Sequence, residues 1–156
     1  MATIYVGIGS NVGDRKANCR RAVKLMNESG MTVIKESSLY ETEPWGVKEQ
    51  PLFINMAAIA QTDLSPDASL TALKCIEKEM GRQETSMWGP RCIDLDILFY
   101  DDIVMSGKDL SIPHPLLHQR EFVLLPLCEI APDKMHPVLK KSIRQLRKEV
   151  CDVQGA

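Results

Sequence analysis

The order in which strand-like and helix-like segments alternate is the feature that most constrains the fold of this chain. Runs rich in β-branched and apolar residues, ended by turn residues, predict four strands. These strands lie at 3–9, 31–43, 52–62 and 92–100. Apolar residues spaced three and four apart predict helices over 15–29 and 65–81. The order β-α-β-β-α-β predicts an α+β fold, a ferredoxin-like split βαββαβ sandwich in which two helices cover one face of an antiparallel sheet.

The rest of the chain predicts additions to this sandwich. A loop rich in proline and glycine is expected at 44–51, and a hairpin is expected after residue 100. An apolar helix near 120–130 and a basic amphipathic helix near 141–150 follow as C-terminal additions. Because 156 residues without a repeat or a break in composition suit one core, we expect a single domain over 1–156.

Charge and cysteine content exclude several classes of partner. The 19 lysines and arginines against 21 acids give a formal charge of −2, so no broad basic surface for nucleic acid is expected. The 5 cysteines show no Cys-x-x-Cys spacing and predict reduced thiols of a cytoplasmic protein. The N-terminus does not resemble a signal peptide, and the longest apolar run, near 122–128, is too short to cross a bilayer. We therefore expect no membrane partner, and a monomer or a weak homo-oligomer.

Two aspartates separated by one residue give the strongest chemical signal. Asp94 and Asp96 lie in the last predicted strand, where alternate side chains project from the same face. Their Cα atoms are expected ~6.5–7 Å apart, which lets both carboxylates converge on one or two hard cations such as Mg²⁺. Two metal ions in such a site can clamp an in-line phosphoryl displacement. The alternative is that both aspartates simply face solvent on an amphipathic strand.

Charged residues around the aspartate pair extend this signal. Arg82 follows the second predicted helix, Arg91 precedes the pair, and His114 with Arg120 comes after it. Acids for metal, arginines for phosphate oxygens and a histidine are the groups that nucleotide phosphoryl transfer needs. Lys74, on the second helix, begins a basic line that fits either this chemistry or a solvated helix face.

The glycines at 7–13 follow a strand and precede a helix, as in dinucleotide-binding folds. Their spacing, GxGxxxG, is one residue too long for that fingerprint, and the Walker spacing GxxxxGK[ST] is absent. We interpret these glycines as relieving a tight turn between the strand and the helix. Any ATP would then be bound by arginines and metal.

Several segments together resemble one known family, the 6-hydroxymethyl-7,8-dihydropterin pyrophosphokinases of folate biosynthesis. The similarity spans about residues 4–133, and its most specific segment runs from Trp88 to Asp96. The segments that carry it are Gly9-Ser10-Asn11, Tyr40-Glu41-Thr42-Glu43-Pro44, Phe53-Ile54-Asn55, Gly81-Arg82, Trp88-Gly89-Pro90-Arg91-Cys92-Ile93-Asp94-Leu95-Asp96, Ile112-Pro113-His114-Pro115 and Arg120-Glu121-Phe122.

The resemblance implies an enzyme that moves pyrophosphate from ATP onto the hydroxymethyl oxygen of the pterin and releases AMP. It implies that Asp94 and Asp96 hold two Mg²⁺ ions and that Arg82 and Arg91 stabilise phosphate charge during catalysis. The positions that match the family's ATP site are Glu77, Arg82, Arg91, Ile97, Ser111, His114 and Arg120. The positions that match its pterin pocket are Thr42, Pro44, Trp45, Phe53, Asn55 and Phe122.

Two departures from the family pattern remove positive charge near the triphosphate. Residues 83–87 contain no arginine, and Asp109 stands where some members carry arginine. These departures predict weaker ATP binding or slower loop closure than in arginine-bearing members. Two other functions also fit this fold. One is a phosphotransferase or nucleotidyltransferase of different specificity that uses the paired aspartates. The other is a ligand-binding or regulatory module that binds a small molecule without Mg²⁺ and tolerates the loss of both aspartates.

Overall fold

The structure is a computed structural model of the chain, and it describes residues 1–42, 52–81 and 92–154. The predicted loop at 44–51, the arginine-poor segment 83–87 and the predicted site residues Pro44, Trp45, Arg82 and Arg91 lie outside the described residues. Of Thr42, the structure describes the backbone.

Within the described ranges, five strands form an antiparallel sheet. The strands are β1 (Ala2–Ser10), β2 (Met31–Glu36), β3 (Tyr40–Thr42), β4 (Phe53–Thr62) and β5 (Asp94–Tyr100). Their order across the sheet is β2-β4-β1-β5. Strand β3 pairs with the same edge of β4 as β2 does, but at the opposite end of β4. The extended segment predicted at 31–43 is therefore two strands, interrupted at 37–39.

Two helices cover one face of this sheet, as predicted. Helix α1 (Arg15–Glu28) begins after Asp14, whose carboxylate accepts a hydrogen bond from the Ala17 amide at 3.1 Å. Helix α2 (Pro66–Glu79) begins after Ser65, which caps the Ala68 amide at 3.1 Å and confirms the predicted start. The apolar stripes of both helices pack on alternate residues of β4 and β5 to form the first core.

The other face of the sheet is covered by the C-terminal additions. Helices α3 (Glu121–Ile130) and α4 (Ile143–Gln154) form a second core with the opposite set of strand residues. The predicted hairpin is present as β6 (Met105–Ser106) and β7 (Ser111–Ile112), and it follows β5. Among the residues that the structure describes, no helix combines the length and the apolar character needed to cross a bilayer.

Candidate active site

One row of residues crosses four neighbouring strands of the sheet. Tyr40 of β3 pairs with Asn55 of β4, Asn55 pairs with Gly9 of β1, and Gly9 pairs with Asp94 of β5. Residues that face each other across antiparallel strands project from the same side of the sheet. The amide of Asn55 and the carboxylate of Asp94 therefore lie on one face, with only a glycine between them.

Asp96 belongs to the next row on the same face. It pairs with Gly7 of β1, two residues along from the pairing of Asp94 with Gly9. The intervening Leu95 is buried in the first core, on the opposite face. Asp94 is half-buried and Asp96 is exposed, so the two carboxylates leave the same face of β5 at the surface of the molecule.

The backbone at Gly9 has little room for a side chain, because side chains of β4 occupy the space next to its Cα atom. A Cβ atom on Gly9 would lie 2.7 Å from Asn55 Oδ1 and 3.6 Å from Phe53 Cδ1. The interpretation of these glycines as relief for a turn is wrong for Gly7 and Gly9, which lie inside β1. It holds for Gly13, which precedes α1 and has a φ of 70°.

A cavity of about 290 Å³ lies between α2, β5 and the β6–β7 hairpin. It contains four of the predicted site residues in its lining: Asp96, Ile97, Ser111 and His114. Its lining also includes Leu70 and Lys74 of α2 and Lys108, Asp109 and Leu110 of the hairpin. The sequence carries no signal for Lys108, because only the tertiary placement of the hairpin brings that lysine to α2.

His114 is held by its backbone and its ring. Its amide donates to the Leu98 carbonyl at 3.1 Å, and its Nδ1 accepts from the Leu116 amide at 3.2 Å. Burial lowers the pKa of His114, and Arg120 lowers it further, whereas the Asp96 carboxylate opposes this shift. The neutral ring is favoured, and because Nδ1 is an acceptor, its proton lies on Nε2.

Arg120 and Phe122 meet at the start of α3. The Arg120 guanidinium carbon lies 5.6 Å from the centroid of the Phe122 ring, a cation–π distance. Helix α3 packs on the sheet face that carries Asn55 and Asp94, since its buried residues share a core with Ala57 of β4. The structure thus brings residues predicted for both substrates to one side of the sheet.

Glu77 lies on α2, on the sheet face opposite the one that carries the aspartate pair. It is buried on α2, and its carboxylate accepts a hydrogen bond from the Leu95 amide at 2.8 Å. Leu95 is the residue between Asp94 and Asp96, so this contact fixes the strand backbone that carries both carboxylates.

Comparison with known proteins identifies the family. A model of the 7,8-dihydro-6-hydroxymethylpterin-pyrophosphokinase family (HPPK) matches residues 5–132. The chain belongs to the HPPK family. It is 43% identical over 149 residues to the 2-amino-4-hydroxy-6-hydroxymethyldihydropteridine pyrophosphokinase of Aquifex aeolicus, covering 96% of this chain and 92% of that protein. The Bacillus subtilis protein of the same name is 44% identical over 127 residues, which cover 81% of this chain and 76% of that protein.

Longer relatives contain an HPPK-like region within a larger protein. The folic acid synthesis protein fol1 of Pneumocystis carinii is 42% identical over 96% of this chain, which spans 20% of that protein. A solved HPPK-DHPS structure in complex with substrates matches 97% of this chain and 44% of its own, at a TM-score of 0.76 and 16% identity. The match to the wild-type HPPK-DHPS of Plasmodium falciparum covers 97% of this chain and 45% of that chain, at a TM-score of 0.78 and 18% identity. These structures share the fold of this chain.

The donor set of this HPPK suits magnesium. Dependence on ATP and Mg²⁺ is standard for the family. Among the described residues, no three histidine, cysteine, aspartate or glutamate side chains gather as a metal cluster. The two carboxylates of Asp94 and Asp96 match Mg²⁺, which binds through one or two carboxylates and completes its shell with water and phosphate oxygens.

Proposed function

We propose that the sheet face carrying Asn55, Asp94 and Asp96 is where this HPPK transfers pyrophosphate from ATP to 6-hydroxymethyl-7,8-dihydropterin in folate biosynthesis. The products are the pterin diphosphate and AMP. The observation that supports this assignment most directly is the row joining Asn55, Gly9 and Asp94, beside a cavity lined by Asp96 and His114. We also propose the ferredoxin-like class for the fold, supported by the strand order β2-β4-β1-β5 and the two helices on one face.

We place ATP in the cavity between α2 and the hairpin. Its volume of about 290 Å³ is at the lower end of the range for ligand pockets and suits the nucleoside part of ATP. Leu70 and Leu110 provide apolar walls for the base, and Lys74 and Lys108 provide positive charge. The proposed ATP-binding residues also include Glu77, Arg82, Arg91, Ile97, Ser111, His114 and Arg120.

We place the pterin on the neighbouring strands, next to Gly9. Phe53 and Phe122 offer aromatic faces for a flat heterocycle, and the Asn55 amide offers both a donor and an acceptor for its polar edge. Asn55 is buried at the end of β4 beside Gly9, so its amide is fixed rather than free to rotate in solvent. Thr42, Pro44 and Trp45 complete the proposed pocket.

The proposed reaction is an in-line attack of the hydroxymethyl oxygen on the β-phosphorus of ATP. A bond forms between the hydroxymethyl oxygen and the β-phosphorus, and the hydroxyl proton is released to water. The bond from the β-phosphorus to the oxygen bridging it to the α-phosphorus breaks, and AMP leaves with the bridging oxygen. The chain contributes mainly positioning and charge. Asp94 and Asp96 would hold two Mg²⁺ ions, which neutralise phosphate charge when bound.

Basic and neutral donors would also hold the triphosphate. Arg82, Arg91 and Arg120 supply guanidinium groups that pair with phosphate oxygens. The lowered pKa of His114 favours the neutral ring, whose Nε2–H would donate a hydrogen bond to a phosphate oxygen without adding a charge.

The proposal has a direct test. Incubation of the protein with ATP, Mg²⁺ and 6-hydroxymethyl-7,8-dihydropterin should yield AMP and the pterin diphosphate, identified by chromatography. Asp94→Ala and Asp96→Ala should each lower kcat by at least about 100-fold with the fold intact by circular dichroism. Asp102→Ala is the matched control, because Asp102 is an exposed acid just beyond the other end of β5. Formation of ADP instead of AMP, or retained turnover in either variant, would refute the assignment.

We further propose that this HPPK works in the cytoplasm on small-molecule substrates, as a monomer or weak homo-oligomer without nucleic acid or membrane partners. The free thiols of all 5 cysteines and the formal charge of −2 support this proposal.

A further inference from the structure

Strand β3 borders the proposed pterin pocket but has little pairing of its own. It consists of 3 residues, Tyr40–Thr42, and they pair with Asn55, Ile54 and Phe53 of β4. So short a strand is marginal without additional contacts. Its register nevertheless sets which backbone atoms face Asn55 and Phe53.

The first such contact comes from α3, on the sheet face of the pocket. The Glu129 carboxylate accepts a hydrogen bond from the Tyr40 hydroxyl at 2.5 Å. It also accepts from the Ser38 amide at 3.0 Å and from the Ser38 hydroxyl at 3.1 Å. The Tyr40 hydrogen bond lowers the pKa of Glu129 and raises that of Tyr40, so the carboxylate stays ionised and the phenol stays protonated. One carboxylate therefore holds both Ser38, which lies before β3, and Tyr40, the residue of β3 that pairs with Asn55.

The second contact comes from α1, on the opposite face of the sheet. Arg15 forms an ion pair with Glu41 at 3.2 Å through Nη2, and its Nη1 donates to the Leu52 carbonyl at 2.5 Å. Glu41 pairs with Ile54, which is buried in the first core, so its position in the strand points to the α1 side. One guanidinium therefore joins the middle residue of β3 to the residue that precedes β4.

We propose that Arg15 and Glu129 are positioning residues of the pterin pocket, which hold β3 in register from opposite faces of the sheet. This inference rests on the proposed function, because it assumes that Asn55 and Phe53 contact the pterin. Loss of either contact lets β3 shift against β4, and a displacement of about 1 Å in a binding site is costly. The ATP cavity is lined by α2, β5 and the hairpin, with β1 between β5 and β4, so its geometry should not change.

The test measures the two substrates separately in Arg15→Ala, Glu129→Ala and Glu129→Gln. Calorimetric titration of 6-hydroxymethyl-7,8-dihydropterin into protein saturated with α,β-methylene ATP gives the pterin Kd without turnover. We expect the pterin Kd to rise roughly 5- to 20-fold in both alanine variants, with the Kd of α,β-methylene ATP within about twofold of wild type. The melting temperature should fall by at most about 4 °C, because exposed hydrogen bonds and ion pairs contribute little to stability.

The glutamine variant and a charge reversal separate positioning from folding. Glu129→Gln keeps a carbonyl that accepts from Tyr40 but has one acceptor oxygen fewer, so an intermediate Kd is expected. Arg15→Glu combined with Glu41→Arg restores the ion pair but not the Leu52 contact, so it should recover part of the affinity that Arg15→Glu loses. The matched controls are Arg144→Ala and Glu149→Ala, which remove surface ion-pair partners of Asp133 and Lys141 elsewhere on the molecule. Neither control should change the pterin Kd.

The outcomes distinguish this inference from the proposed function. If both ligand constants rise together, or if neither changes in the glutamine and alanine variants, the positioning role is wrong. If Glu129→Ala does not fold, the Kd of Glu129→Gln decides. Absence of AMP formation by the wild-type protein would instead refute the proposed function, whatever the variants bind.

Discussion

At the scale of single residues, the space above Gly9 is where the proposed pterin pocket is most sensitive. In Gly9→Ala, the new Cβ would lie 2.7 Å from Asn55 Oδ1, so the amide has to turn away. Asn55 is buried, and the hydrogen bonds that we propose it makes to the pterin would be lost or distorted. We expect the pterin Kd to rise roughly tenfold, the equivalent of about 1.4 kcal/mol for a lost hydrogen bond.

Gly7→Ala is the matched control for this prediction. A Cβ on Gly7 would meet the Leu98 side chain at 3.5 to 3.8 Å, which is ordinary contact. The pterin Kd of Gly7→Ala should stay within about twofold of wild type when measured by the same titration. Equal losses in the two variants would show that the strand tolerates no side chain at all, and that Asn55 is not the cause.

His136 makes stability depend on pH at a site remote from the aspartate pair. Its buried ring accepts at Nδ1 from the Val138 and Leu139 amides, at 3.2 and 3.0 Å. Burial lowers the pKa of His136 below its usual 6.5, and the neighbouring charges of His118 and Lys134 lower it further. Between the folded and unfolded pKa values the unfolded chain binds more protons, so stability should fall as the pH drops through about 6.5.

His136→Asn isolates this effect, because asparagine keeps an acceptor oxygen and does not titrate. The free energy of unfolding is measured in urea at pH 7.5 and at pH 5. Wild type should lose more stability than His136→Asn over this interval, even though the variant starts lower through lost packing on Phe99. Parallel losses would assign the pH dependence to other groups, His114 among them.

At the scale of elements, local patterns predict helices and strands well because their causes are local. The start of α2 follows from Ser65 and Pro66, and the shared face of Asp94 and Asp96 follows from alternation in β5. The break between β2 and β3 has a different cause. The Ser37 amide donates to the Ala57 carbonyl, and its hydroxyl accepts from the Ala57 amide, both at 2.9 Å. A serine 20 residues away from its partner gives no such signal in the sequence.

The same distinction explains which site residues the sequence could indicate. The aspartates carry their chemistry in their spacing, and the family resemblance supplies the residues of both proposed pockets. Lys108, Arg15 and Glu129 acquire a role only through tertiary placement, since Arg15 meets Glu41 across 26 residues and Glu129 meets Tyr40 across 89. Their proposed roles depend on how α1, α3 and the hairpin pack on the sheet, and no local pattern encodes that.

At the scale of the whole molecule, two cores share one sheet. Consecutive residues of the same strand face opposite cores. Met56 and Ala57 do so in β4, and Ile97 and Leu98 do so in β5. The C-terminal helices therefore have no strands of their own to pack on. If either core unfolded, one face of the sheet would be exposed, and the other core packs on that same sheet.

This shared sheet predicts that residues 1–156 unfold as a single cooperative domain. Leu73→Ala empties space in the first core and Leu124→Ala in the second, where both side chains are 0% exposed. Each variant should lose about 2–5 kcal/mol of unfolding free energy, yet keep one transition with an unchanged dependence on urea. Far-ultraviolet circular dichroism follows the backbone. The nuclear magnetic resonance signals of the tyrosine rings follow side chains on both faces, since Tyr5 packs on the second core and Tyr100 on the first. The two signals should coincide in wild type and in both variants. If Leu124→Ala gave an early transition in which Tyr5 changed while the first core stayed folded, α3 and α4 would form a separate cooperative unit.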